Sequence, residues 1–415
     1  MRFFKWFRTN EEAAGSRIVA KTKALSRDAI CSFLFLTQIY RFIRFLRDLL
    51  GGPRSLTIVV YHKVNNDRIT GSYLRPHVMG TPVRTFARQM KYLSGRHKVL
   101  PLDEAVMTIK NRGRLPRNAV CITFDDGYRD NYTNAYPILR LHRLPATFFL
   151  TTGFIDCKRP SWQVALSAYL RFSSRDVLFV EPFDKSLEQL AEAGRKVLRS
   201  YGPSPANAST PTVLRKMVRL LTPDVIEEIA DHFIPEPAEP CLRLNLVTAR
   251  DRAKAREFLA AQLHGRPLYE RELLLDILRA RLGLKRTIYV PSGQMMTWQM
   301  VRNMARYGMG FGAHTCAHPI LTRVPIPLAQ KEATCSKRRL EVILKKAVKL
   351  FSYPSGMDSD FNEEVAAKLK QAGFTAACCM IPGSNTSRSD LFSLKRIGGE
   401  RNIAVFAMRA SGILM

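Results

Sequence analysis

Apolar and polar positions fall into two alternating patterns beyond residue 55. Short apolar runs, among them Ile58-Val59-Val60, Cys121-Ile122-Thr123-Phe124 and the stretch 145–152, have the length and β-branched or aromatic content of buried strands. Longer segments between them space their apolar residues at helical intervals. The alternation predicts an α/β chain with a barrel or an open parallel sheet, and argues against an all-β fold. From about 157 to 290 the helical pattern dominates. Ser186 to Leu198, Thr212 to Leu221 and Tyr269 to Leu282 are predicted helices, separated by proline-bearing loops such as Tyr201-Gly202-Pro203-Ser204-Pro205. This stretch is expected to be a helical insertion between strands, serving either as a lid or substrate-selecting wall or as a scaffold against the side of the sheet. Trp162, just after the 145–152 strand, suits a site entrance or, more simply, the core.

Ahead of this pattern, residues 29–40 are uncharged and mostly apolar, and Arg41, Arg44 and Arg47 follow. Such a run falls short of the about 20 residues that span a bilayer. No small-residue cleavage site follows an apolar run near the start. Residues 1–8 mix Phe3, Phe4, Trp6 and Phe7 with Arg2, Lys5 and Arg8. That mixture predicts a segment lying in the headgroup layer of an anionic membrane. A helix that merely docks on the body of the protein is the plainer alternative.

Composition adds charge to this picture. The 415 residues, 46% of them hydrophobic, suffice for a sizeable core in one large α/β domain with appendages. Lys and Arg number 65 against 35 Asp and Glu, a net charge of +30, so the surface attracts polyanions such as anionic lipid, a phosphate-bearing glycolipid or nucleic acid. The basic residues are spread along the chain without zinc-finger spacing or an RNA-platform signature, which argues against dedicated nucleic-acid binding. Eight cysteines, at 31, 121, 157, 241, 316, 335, 378 and 379, show no Cys-x-x-Cys pair. No disulfide framework is expected, and a reducing compartment suits them.

The chemistry lies in two separated motifs, Thr123-Phe124-Asp125-Asp126-Gly127 and His314-Thr315-Cys316-Ala317-His318. A catalytic zinc site keeps three protein ligands and a position for water, whose pKa the metal lowers to about 7. Asp126, His314 and His318 supply such a set, and Asp125 is left to take the water's proton as general base. Neighbouring side chains on a strand point to opposite faces, so both carboxylates serve one site only where the strand ends and turns, which Gly127 permits. His314 and His318 either share a helix face at i and i+4 or straddle a strand-to-helix turn after Gly308 to Ala313.

Several strings extend these motifs: ITFDDGYRDNY, PATFFLTTGFID at 145–156, GFGAHTCAHPILTRV at 310–324, SKRRLEVIL at 336–344 and LFSYPSGMDS at 350–359. In this order they resemble the polysaccharide deacetylase, or NodB homology, family of carbohydrate esterases, from near Thr57 to near Glu400. The resemblance implies an irregular (β/α) barrel of about seven strands with a helical insertion and a site at the strands' C-terminal ends. Residues 1–54 would be the basic N-terminal segment, 55–156 and 291–415 the two parts of the barrel, and 157–290 the insertion. It implies Asp125 as base, Asp126, His314 and His318 as the ligands of a divalent metal, zinc first, and a histidine as general acid. No histidine follows His318, so that role falls to His62 in Tyr61-His62, as in permuted members of the family. An imidazole titrating near about 6.5 suits proton donation at neutrality.

One departure stands out. The family's Arg-x-Pro-Tyr segment reads Phe351-Ser352-Tyr353-Pro354-Ser355-Gly356 here, without the arginine. Tyr353, Ser355 and Arg396 are therefore assigned to the substrate side: the Ser355 backbone N–H as oxyanion donor, and Arg396 in place of the arginine that holds the base. The expected protein is a metal-dependent hydrolase that removes an N-acyl group, foremost acetyl, from an amino sugar of a bacterial envelope polysaccharide or lipid-linked glycan. It would be cytoplasmic, resting on the inner face of the membrane. The alternatives are a soluble exopolysaccharide deacetylase and an inactive relative that binds glycan or polyanion.

Overall fold

The computed structural model describes residues 27–50, 54–65, 80–157, 162–198, 208–221, 225–226, 228–230, 241–264, 266–284 and 295–414. The aromatic and basic residues 1–8 and the proline loop 201–205 lie outside these. Ten strands form among the described residues: β1 (Leu56–Tyr61), β2 (Lys98–Val99), β3 (Ala119–Phe124), β4 (Thr147–Leu150), β5 (Val177–Val180), β6 (Leu242–Asn245), β7 (Gly310–Ala313), β8 (Leu350–Ser352), β9 (Ala376–Cys378) and β10 (Ile397–Gly398). Seven run in the order β10-β1-β3-β4-β7-β8-β9, with β2 beside β3, and every pairing among them is parallel. All twelve residues of β1 and β3 are buried, which is why these strands read as unbroken apolar runs with cover on both faces.

Alternation along the strands sorts the side chains into two cores. Leu56 and Ile58 of β1, Ala119 and Cys121 of β3, Phe149, Leu350 and Cys378 meet inside the curled sheet, and the helix Leu102–Lys110 joins them through Leu102, Ala105, Val106 and Ile109. The opposite parity, with Val59, Tyr61, Ile122 and Phe124, packs outward against Phe86, Met90 and Leu93 of the helix Val83–Arg96. Stacking of Phe124 on Phe148 at 4.6 Å extends this outer core. Gly312 serves the interior, because a Cβ there would lie 2.5 Å from the Phe149 ring and 2.9 Å from the Leu350 carbonyl oxygen.

Residues 394–398 bring the edges of the curled sheet together. Leu394 bridges β9 at Cys378, and three residues on, the same segment pairs with β1 as β10. The result is an irregular (β/α) barrel with seven strands around it, as the motif order implied.

Between β4 and β7, the described residues are mainly helical: Trp162–Phe172, Phe183–Leu198, Thr210–Leu220, Ala249–His264 and Leu268–Arg281. The antiparallel pair β5–β6 is an addition to the expected all-helical stretch. Its segments, four residues each, are too short for a periodicity to stand out. Leu166, Leu190 and Leu274 belong to the same contiguous core as the outer face of the barrel, so these helices pack onto it. Trp162 is buried, edge-on to His264, which assigns its indole to packing.

Before the barrel, helical residues 27–36 and the helix Ile39–Leu49 form an arm, broken at Gln38 in the left-handed region (φ 60°). Cys31 and Tyr40 pin it to Ala404, Val405 and Met408 of the helix Ile403–Ala410.

Candidate active site

Strand parity decides where the first carboxylate goes. Ala119, Cys121 and Thr123 face the barrel interior, and Asp125, one step past the end of β3, keeps that direction. There it meets Arg396, carried in by the closing segment. The guanidinium donates to Asp125 Oδ1 at 2.9 Å and Oδ2 at 2.7 Å, and also to the Cys379 carbonyl at 2.9 Å. The Ser352 hydroxyl donates to Asp125 Oδ2 at 3.2 Å. Burial by itself would raise the Asp125 pKa, but the Arg396 charge, with His314, outweighs it and holds the carboxyl below its ordinary range.

Asp126 departs from strand geometry. Its φ of 72° is left-handed, a region aspartate tolerates better than most residues, and Gly127 follows at 86°. The turn swings Asp126 away from Arg396, until its Oδ1 lies 3.5 Å from His314 Nε2 and 3.4 Å from His318 Nε2. Burial again would raise the carboxyl, yet the close approach of His314, with His318 and His62 nearby, holds it well below the usual carboxylate range.

The histidine motif is a loop, not a helix. Thr315 and His318 both take left-handed backbone angles, which a helix face excludes. The loop is held from every side: Thr152 and Gly153 N–H groups donate to the Thr315 and Cys316 carbonyls, and the Glu332 carboxylate accepts from the Cys316 and Ala317 N–H groups at 2.9 Å each. Arg271, fully buried on Leu268–Arg281, donates to the carbonyls of Ala317 at 2.7 Å and His318 at 3.3 Å. His314 Nδ1 sits 2.7 Å from the Ser352 carbonyl, which fixes the proton on that nitrogen and turns a bare Nε2 toward Asp126. Burial pushes the His318 imidazole down to about 3, so it is neutral at physiological pH, the form that ligates metals. Burial would also lower the His314 pKa, but the Asp126 and Asp125 carboxylates beside it raise it instead.

These residues fit a divalent ion. Asp126, His314 and His318 are all buried, and their ligand atoms lie within 4.8 Å of one another. Asp126 Oδ1 is buried without a hydrogen-bond partner, an orphaned acceptor of the kind a cation satisfies. One carboxylate and two imidazoles are a donor set suited to zinc and similar ions.

Placement of the other predicted residues varies. His62 follows β1 and lines a cavity of about 360 Å³ together with Thr81, Met380 and Gly399. Its charge bears on both Asp125 and Asp126, and the buried Asn131 fixes its backbone by donating to its carbonyl at 2.7 Å. Ser355 sits in a left-handed turn after β8 (φ 62°). Tyr353 is withdrawn from the substrate side, because its ring stacks on Phe361 in the core and its hydroxyl donates to the Phe392 carbonyl at 3.0 Å. Arg396 is withdrawn too, since a fully buried guanidinium bound to Asp125 holds the base and has no face for a sugar. Ser352, Glu332, Arg271 and Asn131 were missed. Ser352 and Asn131 stood inside quoted motifs, whereas Glu332 and Arg271 lie in helices with no local signal.

Gly153 offers a direct test of the loop. A Cβ there would come within 2.5 Å of the Cys316 carbonyl oxygen. Gly153→Ala is expected to destabilise the fold by about 1–3 kcal/mol through overpacking, and to weaken metal retention because the strain falls on the histidine loop. Thermal melting paired with elemental analysis checks this, and a variant that melts and binds metal like the parent would refute it.

A sequence profile of the polysaccharide deacetylase family matches residues 112–198 and 271–377, the two parts that carry these motifs. Poly-β-1,6-N-acetyl-D-glucosamine N-deacetylase of Staphylococcus aureus is 41% identical over 71 residues, 17% of this chain and 24% of that protein. A Bacillus subtilis protein with a provisional polysaccharide deacetylase name, YxkH, is 34% identical over 100 residues, 24% of this chain and 32% of that protein. The chain thus matches about a third or less of the length of these curated relatives. Among solved structures, the Streptococcus pyogenes deacetylase PplD in complex with acetate aligns with a TM-score of 0.48 at 15% identity, covering 83% of this chain and 92% of that one. IcaB from Ammonifex degensii aligns at 0.46 and 15%, covering 86% and 97%. Through residues 112–198 and 271–377, the chain belongs to the polysaccharide deacetylase family.

Proposed function

We propose that this chain is a metal-dependent deacetylase that releases acetate from an N-acetylated amino sugar in a bacterial envelope glycan. The observation that carries the proposal is the division of labour at the end of β3. Asp126 joins two buried histidines, while Asp125, one residue away, is held by Arg396 outside that set.

A divalent ion bound by Asp126, His314 and His318 would supply Lewis acidity toward the acyl carbonyl and make water nucleophilic near neutrality. Asp125 accepts the proton of the attacking water. It is ionised at neutral pH because Arg396 keeps it so, and it cannot swing away because both of its oxygens are engaged. Ser355 offers its backbone N–H to the developing oxyanion. His62, at the cavity wall, protonates the departing sugar amine.

The name of the Staphylococcus aureus relatives makes a β-1,6-linked N-acetylglucosamine polymer the first substrate to try, and a soluble exopolysaccharide deacetylase is the second reading this supports. Zinc is the first ion to supply. In the parent, about one ion per chain and acetate release from N-acetylglucosamine oligomers are expected. His314→Ala is expected to lose both. A metal-free, inactive parent would refute the proposal and favour a glycan-binding or polyanion-binding relative.

A further inference from the structure

The arm ahead of the barrel is unusual in what it leaves uncovered. Of the 20 large apolar side chains exposed among the described residues, half fall between Ile30 and Leu50. Phe33, Leu36, Phe42, Phe45, Leu49 and Leu50 are each more than half exposed, from 59% to 83%. Scattered single exposures are ordinary, but a contiguous apolar face of this kind marks an interaction surface.

Three features of the arm say what covers it. First, the sequence sets arginines at 41, 44 and 47, every third position, and apolar residues at 39, 42, 46 and 49, a helical periodicity that separates a basic set from an apolar one. A cationic stripe beside an apolar stripe complements an anionic headgroup layer over acyl chains, and no protein groove is needed to explain it. Second, residues 1–50 hold ten lysines and arginines against four acidic residues, in a chain of net charge +30. Third, no helix among the described residues is long and apolar enough to cross a membrane.

The arm also borders the cavity that His62 lines. Asp28 shares that lining with His62, Glu400, Arg401 and Asn402. Asn402 donates to the Ser32 hydroxyl at 3.5 Å, and Tyr40 and Tyr92 hydroxyls meet at 3.3 Å, so the arm is fastened at the edge of the cavity.

We propose that the exposed apolar face of residues 30–50 docks this protein on an anionic bilayer, and that the cavity at His62 takes its glycan at that surface, as a saccharide carried on a lipid. The second half rests on the deacetylase reading. The first half does not.

The test uses the full chain and vesicles of phosphatidylcholine, with or without about 30% phosphatidylglycerol, in a sedimentation assay. The parent is expected to pellet with anionic vesicles, and the triple variant Phe42→Ser, Phe45→Ser, Leu49→Ser to bind at least about 10-fold more weakly. Leu141→Ser, which alters an exposed leucine elsewhere, serves as the control and is expected to bind like the parent. Acetate release from a soluble N-acetylglucosamine oligomer is expected to be equal in all three proteins, while release from a lipid-linked oligomer in anionic vesicles falls in the triple variant alone. A parent that stays in the supernatant, or a triple variant that pellets like the parent, overturns the docking. Light scattering that shows a dimer dispersed by the triple substitution, with no lipid binding, would overturn it in favour of a second copy as the occupant. Loss of binding with normal turnover on the soluble oligomer strikes at the membrane alone, whereas normal binding without turnover on any oligomer strikes at the deacetylase reading.

Discussion

Asparagine in place of Asp125 is expected to lower acetate release about 10³-fold while the metal content stays close to that of the parent. The side chain is nearly isosteric, but its amide oxygen is far too weak a base to take a proton from water. The amide also places an N–H₂ group against a guanidinium, where Asp125 offered two acceptors to Arg396 at 2.9 and 2.7 Å. Some stability is therefore lost as well, because a buried arginine is left short of its counter-charge. Elemental analysis and a melting curve separate these effects. A variant that folds, holds metal and still turns over at more than about a tenth of the parental rate would remove Asp125 from the role of base.

The second large effect is expected at Arg396. Its pair with Asp125 is fully buried, and removing one partner of such a pair typically costs about 3–5 kcal/mol. In Arg396→Met, burial is no longer opposed by the guanidinium, so the Asp125 pKa rises. A larger share of the base is then protonated at a given pH, and activity is expected to fall and to be partly regained as the pH increases. The acid limb of kcat/KM against pH moves upward, a change that a purely structural residue would not produce. Stability follows with the matching sign. In the parent the depressed Asp125 pKa contributes stability above the ordinary carboxylate range, and that contribution is lost as pH falls through the lower folded value. Unfolding of the variant should therefore depend less on pH in the acid range, and an unchanged rate profile would sink the assignment.

Much of this was legible from local chemistry. The buried strand 121–124 ending in Asp125-Asp126-Gly127 could be read directly, since apolar run, carboxylates and turn glycine are neighbours in sequence. The helices of the insertion were legible for a similar reason, because 11 to 16 residues carry a full amphipathic period. What escaped depends on contacts across the fold. Nothing around Tyr353 says that its ring stacks on Phe361, and nothing around Arg271 says that its guanidinium reaches the carbonyls beside His318. The spacing of His314 and His318 fitted a helix as well as a loop, and the left-handed angles at Thr315 and His318 that decide the matter are imposed by Glu332 and Arg271 from other elements. Arg396 stands beside the base in the sequence reading only as a stand-in for the arginine missing from 351–356, and the closing of the barrel shows how it gets there.

That closure sets an order of events for the newly made chain. Asp125 and its arginine are 271 residues apart, and the arginine arrives on the closing segment, just ahead of β10. Until residues 394–398 dock, the growing sheet has an open edge and a carboxylate facing its interior without a counter-charge, so burying it early is unfavourable. A nascent or truncated chain that ends before Leu394 is therefore a protein with its metal ligands present and its base unsupported. Competence for catalysis and completion of the barrel become a single step, because the segment that closes the sheet also delivers the counter-charge of the base.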